Sequence, residues 1–106
     1  MKAKEYVAKY GDDIMRGDNT ALGTMLSEMF GEIGDITKAR GIKTTAGAVA
    51  VVEEINTKFN SVCATLEKKM GMSVLKRNGL RILAIRQIPE LRIFYEHHKP
   101  DALKDV

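Results

Sequence analysis

The chain has 106 residues, 44% of them hydrophobic, with six aromatic residues and a formal net charge of +3. This length supports one modest hydrophobic core, which excludes a multidomain architecture and predicts a single domain over residues 1–106. The longest apolar stretch, Ala46 to Val52, is too short to span a bilayer, and no secretory leader pattern follows Met1.

One cysteine, Cys63, cannot form an intramolecular disulfide or a cysteine-based zinc site. A lone cysteine without a leader is typical of a protein of a reducing compartment, so we expect a cytoplasmic location. Its neighbours on a helical projection are Phe59, Leu66 and Met70. This surrounding predicts a buried structural thiol, because a catalytic thiol needs a nearby base and a lowered pKa.

The spacing of apolar residues predicts an all-α fold, in the form of a small helical bundle built on an antiparallel hairpin. A first helix is expected over Lys2 to Arg16, broken or frayed near Gly11, and Gly17 would stop it. The second helix, capped by Asp18 or Asn19, should end near Gly41. Its apolar stripe has spacings of 4, 3, 4 and 3 and consists of Leu22, Leu26, Met29, Ile33 and Ile36.

A third and longest helix should begin at Thr44 or Thr45 and end at Met70-Gly71. Its stripe consists of Val52, Ile55, Phe59, Val62 and Leu66. The two stripes must be buried against each other, against the first helix or against a second copy of the chain. Because two such stripes offer a large apolar area on a short chain, we expect a homo-oligomer.

The last third predicts a short basic helical segment. Ser73 resembles a helix cap, Asn78-Gly79 is a turn signal, and Leu80 to Ile85 suits either a strand or a helix. Pro89 should open a new helix with Leu91, Phe94 and Tyr95 toward the core. Pro100 should end that helix and leave residues 100–106 as a loose tail.

Residues 71–99 contain six basic and two acidic side chains, so the positive charge of the chain is concentrated there. Basic side chains can contact phosphates, which makes this segment a candidate for nucleic-acid binding; solvated arginines, or arginines paired with acidic residues of the first helices, are the equal alternative. The candidate residues are Lys76, Arg77, Arg81, Arg86 and Arg92.

Two methionines of the second helix, Met25 and Met29, are candidate contacts for a protein partner. Methionine adapts to imperfectly matched surfaces and is common where proteins bind several partners. The alternative is that methionine fills a core that is short of aromatic residues.

For His97-His98, adjacent helical positions point about 100° apart, which disfavours a shared metal.

Glu28, Glu32 and Asp35 share one helical face, where carboxylates could bind Mg²⁺. The stretch Glu32-Ile33-Gly34-Asp35 resembles the ExxD element of the MazG-type all-α nucleotide pyrophosphatases, which implies a magnesium-dependent hydrolase. The second acidic element of that family has no counterpart, since Glu53-Glu54 is followed by Asn56 and Thr57. We therefore favour a solvated acidic face opposite the apolar stripe, with no catalytic residue, no metal and no cofactor.

The chain also resembles small helical proteins encoded by phages and other mobile elements, through Phe59 to Cys63, Leu75 to Gly79 and Pro89 to Leu91. That resemblance implies an accessory role. The sequence thus predicts a non-enzymatic protein-interaction module that binds itself, a host protein or a phage protein. A nucleic-acid-binding accessory protein that uses residues 76–92 is the alternative, and a magnesium-dependent nucleotide pyrophosphatase is third.

Overall fold

The computed structural model describes the backbone of residues 1–39 and 45–92 and the side chains of residues 1–33 and 49–92. Within these residues the chain forms four α-helices: α1 (Ala3–Met15), α2 (Asn19–Ala39), α3 (Thr45–Met70) and α4 (Val74–Gln87). The all-α prediction is confirmed, and the described part contains no strand. Phe94, Tyr95, the His97-His98 pair, Pro100 and the tail lie outside the described residues.

The helix boundaries follow local capping chemistry. Gly17 has a φ of +88°, and the N–H groups of Gly17 and Asp18 donate to the carbonyls of Ile14 and Asp13, which closes α1 in a Schellman motif. The Asp18 carboxylate then accepts from the backbone N–H groups of Thr20 and Ala21, at 2.9 and 3.3 Å, and so caps α2. The predicted stop and cap are both confirmed.

The turn between α3 and α4 uses the same two devices. Gly71 has a φ of +68°, which lets the Met72 N–H return to the Leu66 carbonyl. The Ser73 hydroxyl accepts from the Lys76 N–H at 3.1 Å and caps α4. The three residues 71–73 are enough to reverse the direction of the chain.

The contacts between helices define their relative directions. Tyr6 contacts Glu32 and Tyr10 contacts Glu28, so α1 and α2 are antiparallel. Lys58 reaches the Met1 carbonyl, and a Cβ at Gly11 would meet Leu66 and Met70, so α1 and α3 are parallel. It follows that α2 and α3, which pack on each other, form the predicted antiparallel hairpin.

Of the two predicted stripes, the described residues Leu22, Leu26, Met29, Ile33, Ile55, Phe59, Val62 and Leu66 are buried in one core, which also includes residues of α1 and α4. Val52 is partly buried against this core, and the Ile36 side chain lies outside the described residues. The exposed fraction is 2% or less for the large side chains Tyr6, Ile14, Leu22, Met25, Leu26, Met29, Ile33, Ile55, Phe59, Val62 and Leu66. Among the residues that the structure describes, every buried side chain is apolar or aromatic. The described part of the apolar area that led us to expect a homo-oligomer is therefore covered within one chain, where α1, α2 and α3 pack on one another.

Gly11 does not break α1, contrary to the prediction. The helix continues through it, and the glycine is buried where α1 crosses α3. A Cβ at this position would lie 3.1 Å from Val7 Cγ1, 3.2 Å from Met70 Sδ and 3.3 Å from Leu66 Cδ2. The missing side chain allows close approach of two helices, which offsets its poor helix propensity.

Asn78-Gly79 is not a turn, and Leu80 to Ile85 is helical, which resolves the alternative of strand or helix. The region forms the middle of α4 because Ser73 caps it and because Leu80 and Ala84, four residues apart, are buried on one side. Gly79 is on the exposed side of the helix, where its lack of a side chain leaves no gap in the core. Burial outweighed the local turn signal.

After α4, a turn spans Ile88 to Glu90. The N–H of Leu91 donates to the Ile88 carbonyl at 3.0 Å, and the N–H of Arg92 donates to the Pro89 carbonyl at 3.1 Å. Leu91 is buried, as predicted for the first turn of a helix that opens at Pro89.

Candidate functional site

Met25 and Met29, the candidate partner contacts, are both 0% exposed. They lie in the core of the bundle among leucines and isoleucines, so neither side chain is accessible to a partner in this fold. The structure therefore corrects the prediction of a partner surface on this part of α2. The alternative, that methionine fills the core, applies to both residues.

The basic candidates of the last third do not form one patch. Arg77 and Arg81, one helical turn apart, lie against α3. Arg77 Nη1 forms an ion pair with Glu67 Oε1 at 3.0 Å, and Arg81 Nη2 donates to Asn60 Oδ1. These two arginines dock α4 antiparallel to α3. Pairing of arginines with acidic residues was one of the alternatives, but the acid lies on α3 and not on the first two helices.

Two of the other three basic candidates are more open to solvent. Arg86 and Arg92 are exposed, whereas Lys76 is half-buried. Arg86 is nine positions after Arg77 and five after Arg81, which places it well away from their side of α4. The structure thus leaves Arg86 and Arg92 as the freely accessible cations of this group.

The side of α4 that carries Arg86 also carries large exposed apolar side chains. Leu75 is 83% exposed and Ile82 is 49% exposed. With Gly79 and Arg86 they follow spacings of 4, 3 and 4, so they form a single stripe on the helix surface. We name this stripe, Leu75, Gly79, Ile82 and Arg86, the α4 outer face.

The α4 outer face was not predicted from the sequence. The signal was present in the seven-residue spacing of Leu75 and Ile82, but Leu80, Leu83 and Ile85 made the whole segment look equally apolar. The α4 segment contains four basic residues and no acidic residue. A single exposed apolar side chain is ordinary on a protein surface, but here two of them, Leu75 and Ile82, lie on one stripe of a basic helix.

Glu28 and Glu32 are not on a solvated face, contrary to the prediction. They are on the side of α2 that packs on α1, and their side chains are 27% and 29% exposed. Glu32 Oε2 accepts from the Tyr6 hydroxyl at 2.8 Å and from the Met1 ammonium at 2.6 Å, and lies 3.6 Å from Lys58 Nζ. This carboxylate therefore joins α1, α2 and α3.

Glu28 makes an equivalent set of contacts one turn earlier on α2. It accepts from the Tyr10 hydroxyl and from Lys9 Nζ, which is 3.1 Å from both carboxylate oxygens. The side chain of Asp35, the third member of the predicted acidic face, lies outside the described residues. The two described carboxylates serve as acceptors between helices, which is a structural role.

These contacts shift the pKa values of the two glutamates, Glu28 and Glu32, and of the two tyrosines, Tyr6 and Tyr10. The hydrogen bond from Tyr10, followed by that from Lys9, lowers the pKa of Glu28. The Met1 ammonium is the largest cause that lowers the pKa of Glu32; burial opposes it, and Tyr6 and Lys58 add to the lowering. Burial, with the bond to Glu32, raises the pKa of Tyr6, and the bond to Glu28 raises that of Tyr10.

We expect the protein to lose stability as the pH falls below the ordinary glutamate pKa of 4.5. Both carboxylates have folded-state pKa values below their unfolded values, so their contribution is complete above pH 4.5 and is lost as the pH falls through the folded-state values. Urea denaturation between pH 7 and pH 3 measures this. In the variant Glu28→Gln/Glu32→Gln, the free energy of unfolding should depend less on pH. An unchanged pH dependence would contradict the stabilising role of these two carboxylates.

Cys63 is buried on α3, with 2% of its surface exposed, which agrees with the prediction of a structural thiol. Burial raises the pKa of the thiol to about 12, although Arg81 and Arg77 oppose the shift. At neutral pH it is a protonated apolar side chain. It does not have the accessible thiolate that a nucleophile requires.

A groove of about 340 Å³ lies between α2 and the end of α4. Its lining residues are Leu26, Ser27, Phe30, Gln87, Ile88 and Glu90. Phe30 is 51% exposed, and the polar groups are one carboxylate, one amide and one hydroxyl. The lining of this groove contains no histidine, cysteine or lysine.

Among the side chains that the structure describes, no group of three or more histidine, cysteine, aspartate or glutamate residues could hold a metal ion. No helix in the described ranges is both long enough and apolar enough to cross a bilayer.

No protein-family model matches the sequence, and comparisons with curated proteins and with solved structures likewise give no significant match.

Proposed function

We propose that this protein is a non-enzymatic protein-interaction module that docks a helical, acidic partner on the α4 outer face. The observation that carries the proposal is the 83% exposure of Leu75, with Ile82 exposed on the same stripe. An amphipathic helix binds another helix through apolar side chains at such spacings. Because α4 has no acidic residue, charge favours a partner with carboxylates beside its apolar positions.

The same features favour a protein over a nucleic acid. Phosphate contacts need accessible cations and gain nothing from an exposed leucine. Arg77 and Arg81 are engaged with α3, so two of the five basic candidates dock α4 instead of facing outward. Nucleic-acid binding remains the second candidate through Arg86 and Arg92, which are exposed.

A magnesium-dependent pyrophosphatase is the third candidate. It would require Glu28 and Glu32 to exchange their contacts with Tyr6, Tyr10, Lys9 and the Met1 ammonium for a metal ion. An accessory, non-enzymatic role is also what the resemblance to small phage-encoded proteins implies.

We expect Leu75→Asp/Ile82→Asp to abolish partner docking without unfolding the protein. The probe is a fluorescein-labelled amphipathic helical peptide with leucines at seven-residue spacing flanked by glutamates. Burial of a leucine or isoleucine side chain contributes about 1.5–3 kcal/mol, so loss of both should weaken binding by about a hundredfold or more. Fluorescence anisotropy measures the affinity, and circular dichroism tests the fold.

Leu75→Asp is a mild change for the fold itself. Leu75 is in the first turn of α4, which contains no acidic residue, and a carboxylate there interacts favourably with the helix dipole. Ala8→Asp, on the exposed side of α1, adds the same charge elsewhere and should bind the peptide normally.

The chemistry of the partner is tested in the same assay. A peptide with lysines in place of the glutamates should bind much more weakly, and a DNA duplex should not bind at physiological salt. Peptide affinity that is unchanged in Leu75→Asp/Ile82→Asp would contradict the proposal. Tight, salt-sensitive DNA binding that Arg86→Ala/Arg92→Ala weakens would favour the second candidate.

A further inference from the structure

The N-terminal half of α3 carries an exposed surface that complements the α4 outer face. Residues 49–57 contain two acidic residues and no basic residue. Val49 is 44% exposed, and Ala50, Glu53, Glu54 and Thr57 are exposed as well. We name Val49, Glu53 and Glu54 the α3 acidic face. It combines an apolar side chain with carboxylates, which is the chemistry that a basic, apolar helix should bind.

Glu53 lies on the same line along α3 as two residues that contact arginines of α4. Glu53, Asn60 and Glu67 are separated by seven residues each, so they lie along one line of the helix. Asn60 and Glu67 contact Arg81 and Arg77 of α4. Glu53 continues this line beyond those contacts, on the same side of the bundle as α4, and is exposed.

The charged side chains on the two faces have no ion-pair partner within the described part of the chain. Neither Arg86 nor Glu53 forms an ion pair with another residue that the structure describes. Two copies of α4 packed on each other would bring basic residues together, because that helix has no acid. Pairing of α4 with the α3 acidic face instead brings opposite charges and exposed apolar side chains together.

We infer that the partner of the α4 outer face is a second copy of this chain, whose α3 acidic face receives it. This inference rests on the proposed function and names the partner. In the pair, Leu75 and Ile82 of one copy pack near Val49 of the other, and Arg86 approaches Glu53. Glu54 points about 100° further around α3 and adds negative charge beside this contact. Because each copy carries both faces, the contact can be made twice about a two-fold axis, which closes the assembly as a dimer.

The experiment is a charge exchange followed by light scattering after size-exclusion chromatography. The wild type should behave as a dimer of two 11.8 kDa chains at tens of micromolar. Arg86→Glu alone and Glu53→Arg/Glu54→Arg alone should each be monomeric, because each brings like charges together. An equimolar mixture of these two variants should form a mixed dimer, since the reversed charges are again opposite at one contact and the native charges remain at the other.

Ala8→Asp is the matched control and should remain a dimer. Because Arg86→Glu places an acid near the carboxyl end of α4, Ile82→Gln is a second disrupting variant that leaves the charges intact. Circular dichroism of each variant confirms the helical fold. A wild type that is monomeric, a dimer that both charge-reversal variants leave intact, or monomeric variants whose mixture does not pair would overturn the inference.

The result can be separated from that of the proposed function. Glu53→Arg/Glu54→Arg keeps the α4 outer face unchanged but removes its self-partner, so the acidic peptide can be titrated onto a free surface. Peptide binding to this variant with a monomeric wild type would leave the proposed function and overturn self-pairing. Absence of peptide binding to it would contradict the proposed function, whatever the oligomeric state.

Discussion

Met29→Asp is expected to unfold the protein. Met29 is 0% exposed in a core whose buried side chains are all apolar or aromatic. The core has no buried cation, and its two tyrosine hydroxyls already donate to Glu32 and Glu28. A carboxylate at position 29 would therefore be an unpaired buried charge, which costs several kcal/mol. A domain of this size has a total stability of about 5–15 kcal/mol, so this single change removes most or all of it.

The measurement is the far-ultraviolet circular dichroism spectrum and its thermal transition. Met29→Asp should show no cooperative transition, whereas Met29→Leu, which conserves volume, should lose less than about 1.5 kcal/mol. Leu75→Asp introduces the same side chain at a surface position, so this variant should unfold near the wild-type melting temperature. The comparison therefore separates the effect of a core position from that of a surface position. A Met29→Asp protein that is folded and loses only partner binding would restore the partner role predicted from the sequence.

The helices and their caps were predictable because their signals are local. The stripes of α2 and α3 have the spacing of one helix face, and Gly17, Asp18, Gly71 and Ser73 carry the backbone and side-chain chemistry of helix ends. Gly11 and Asn78-Gly79 carry similar local signals but lie inside helices. There, contacts with α3 and burial of Leu80 and Ala84 outweigh propensity, and neither can be seen in a local pattern.

The role of Glu28 and Glu32 could not be deduced from their own helix. Three carboxylates beside an apolar stripe indicate a solvent-facing surface unless another helix supplies donors. Here Tyr6 and Tyr10, four residues apart on α1, bury their rings and direct their hydroxyls at those carboxylates. Tyrosine allows this because it combines an apolar ring with a polar tip. The pairing depends on the packing of two separate segments.

The basic segment shows the same dependence on packing. All five candidate cations are equivalent in a count of charges, but helical geometry separates Arg77 and Arg81 from Arg86. The sequence could have indicated that separation once the segment was taken as one continuous helix. It could not indicate which side would meet α3, because Leu80, Ile82 and Ile85 are similar in chemistry and differ in burial only after docking.

Substitutions at Tyr6 should measure how strongly α1 is held in the bundle. Tyr6 is 1% exposed, and its hydroxyl donates to Glu32 Oε2 at 2.8 Å. Tyr6→Phe removes this bond but keeps the ring, so we expect a loss of about 1.5 kcal/mol, the lower part of the range for hydrogen bonds to charged groups, because Glu32 keeps its other contacts. Tyr6→Ala also removes the ring and should cost about 3–5 kcal/mol.

Urea denaturation at pH 7 gives both values, with Lys4→Ala on the exposed side of α1 as the control, which should change stability by less than about 0.5 kcal/mol. A double-mutant cycle of Tyr6→Phe and Glu32→Gln isolates the pairwise interaction, since the two groups are in direct contact. If Tyr6 anchors α1 through Glu32, the double variant should be more stable than the sum of the single losses predicts. Additive losses would show that the ring alone holds α1, and that the hydroxyl contributes nothing specific to the carboxylate.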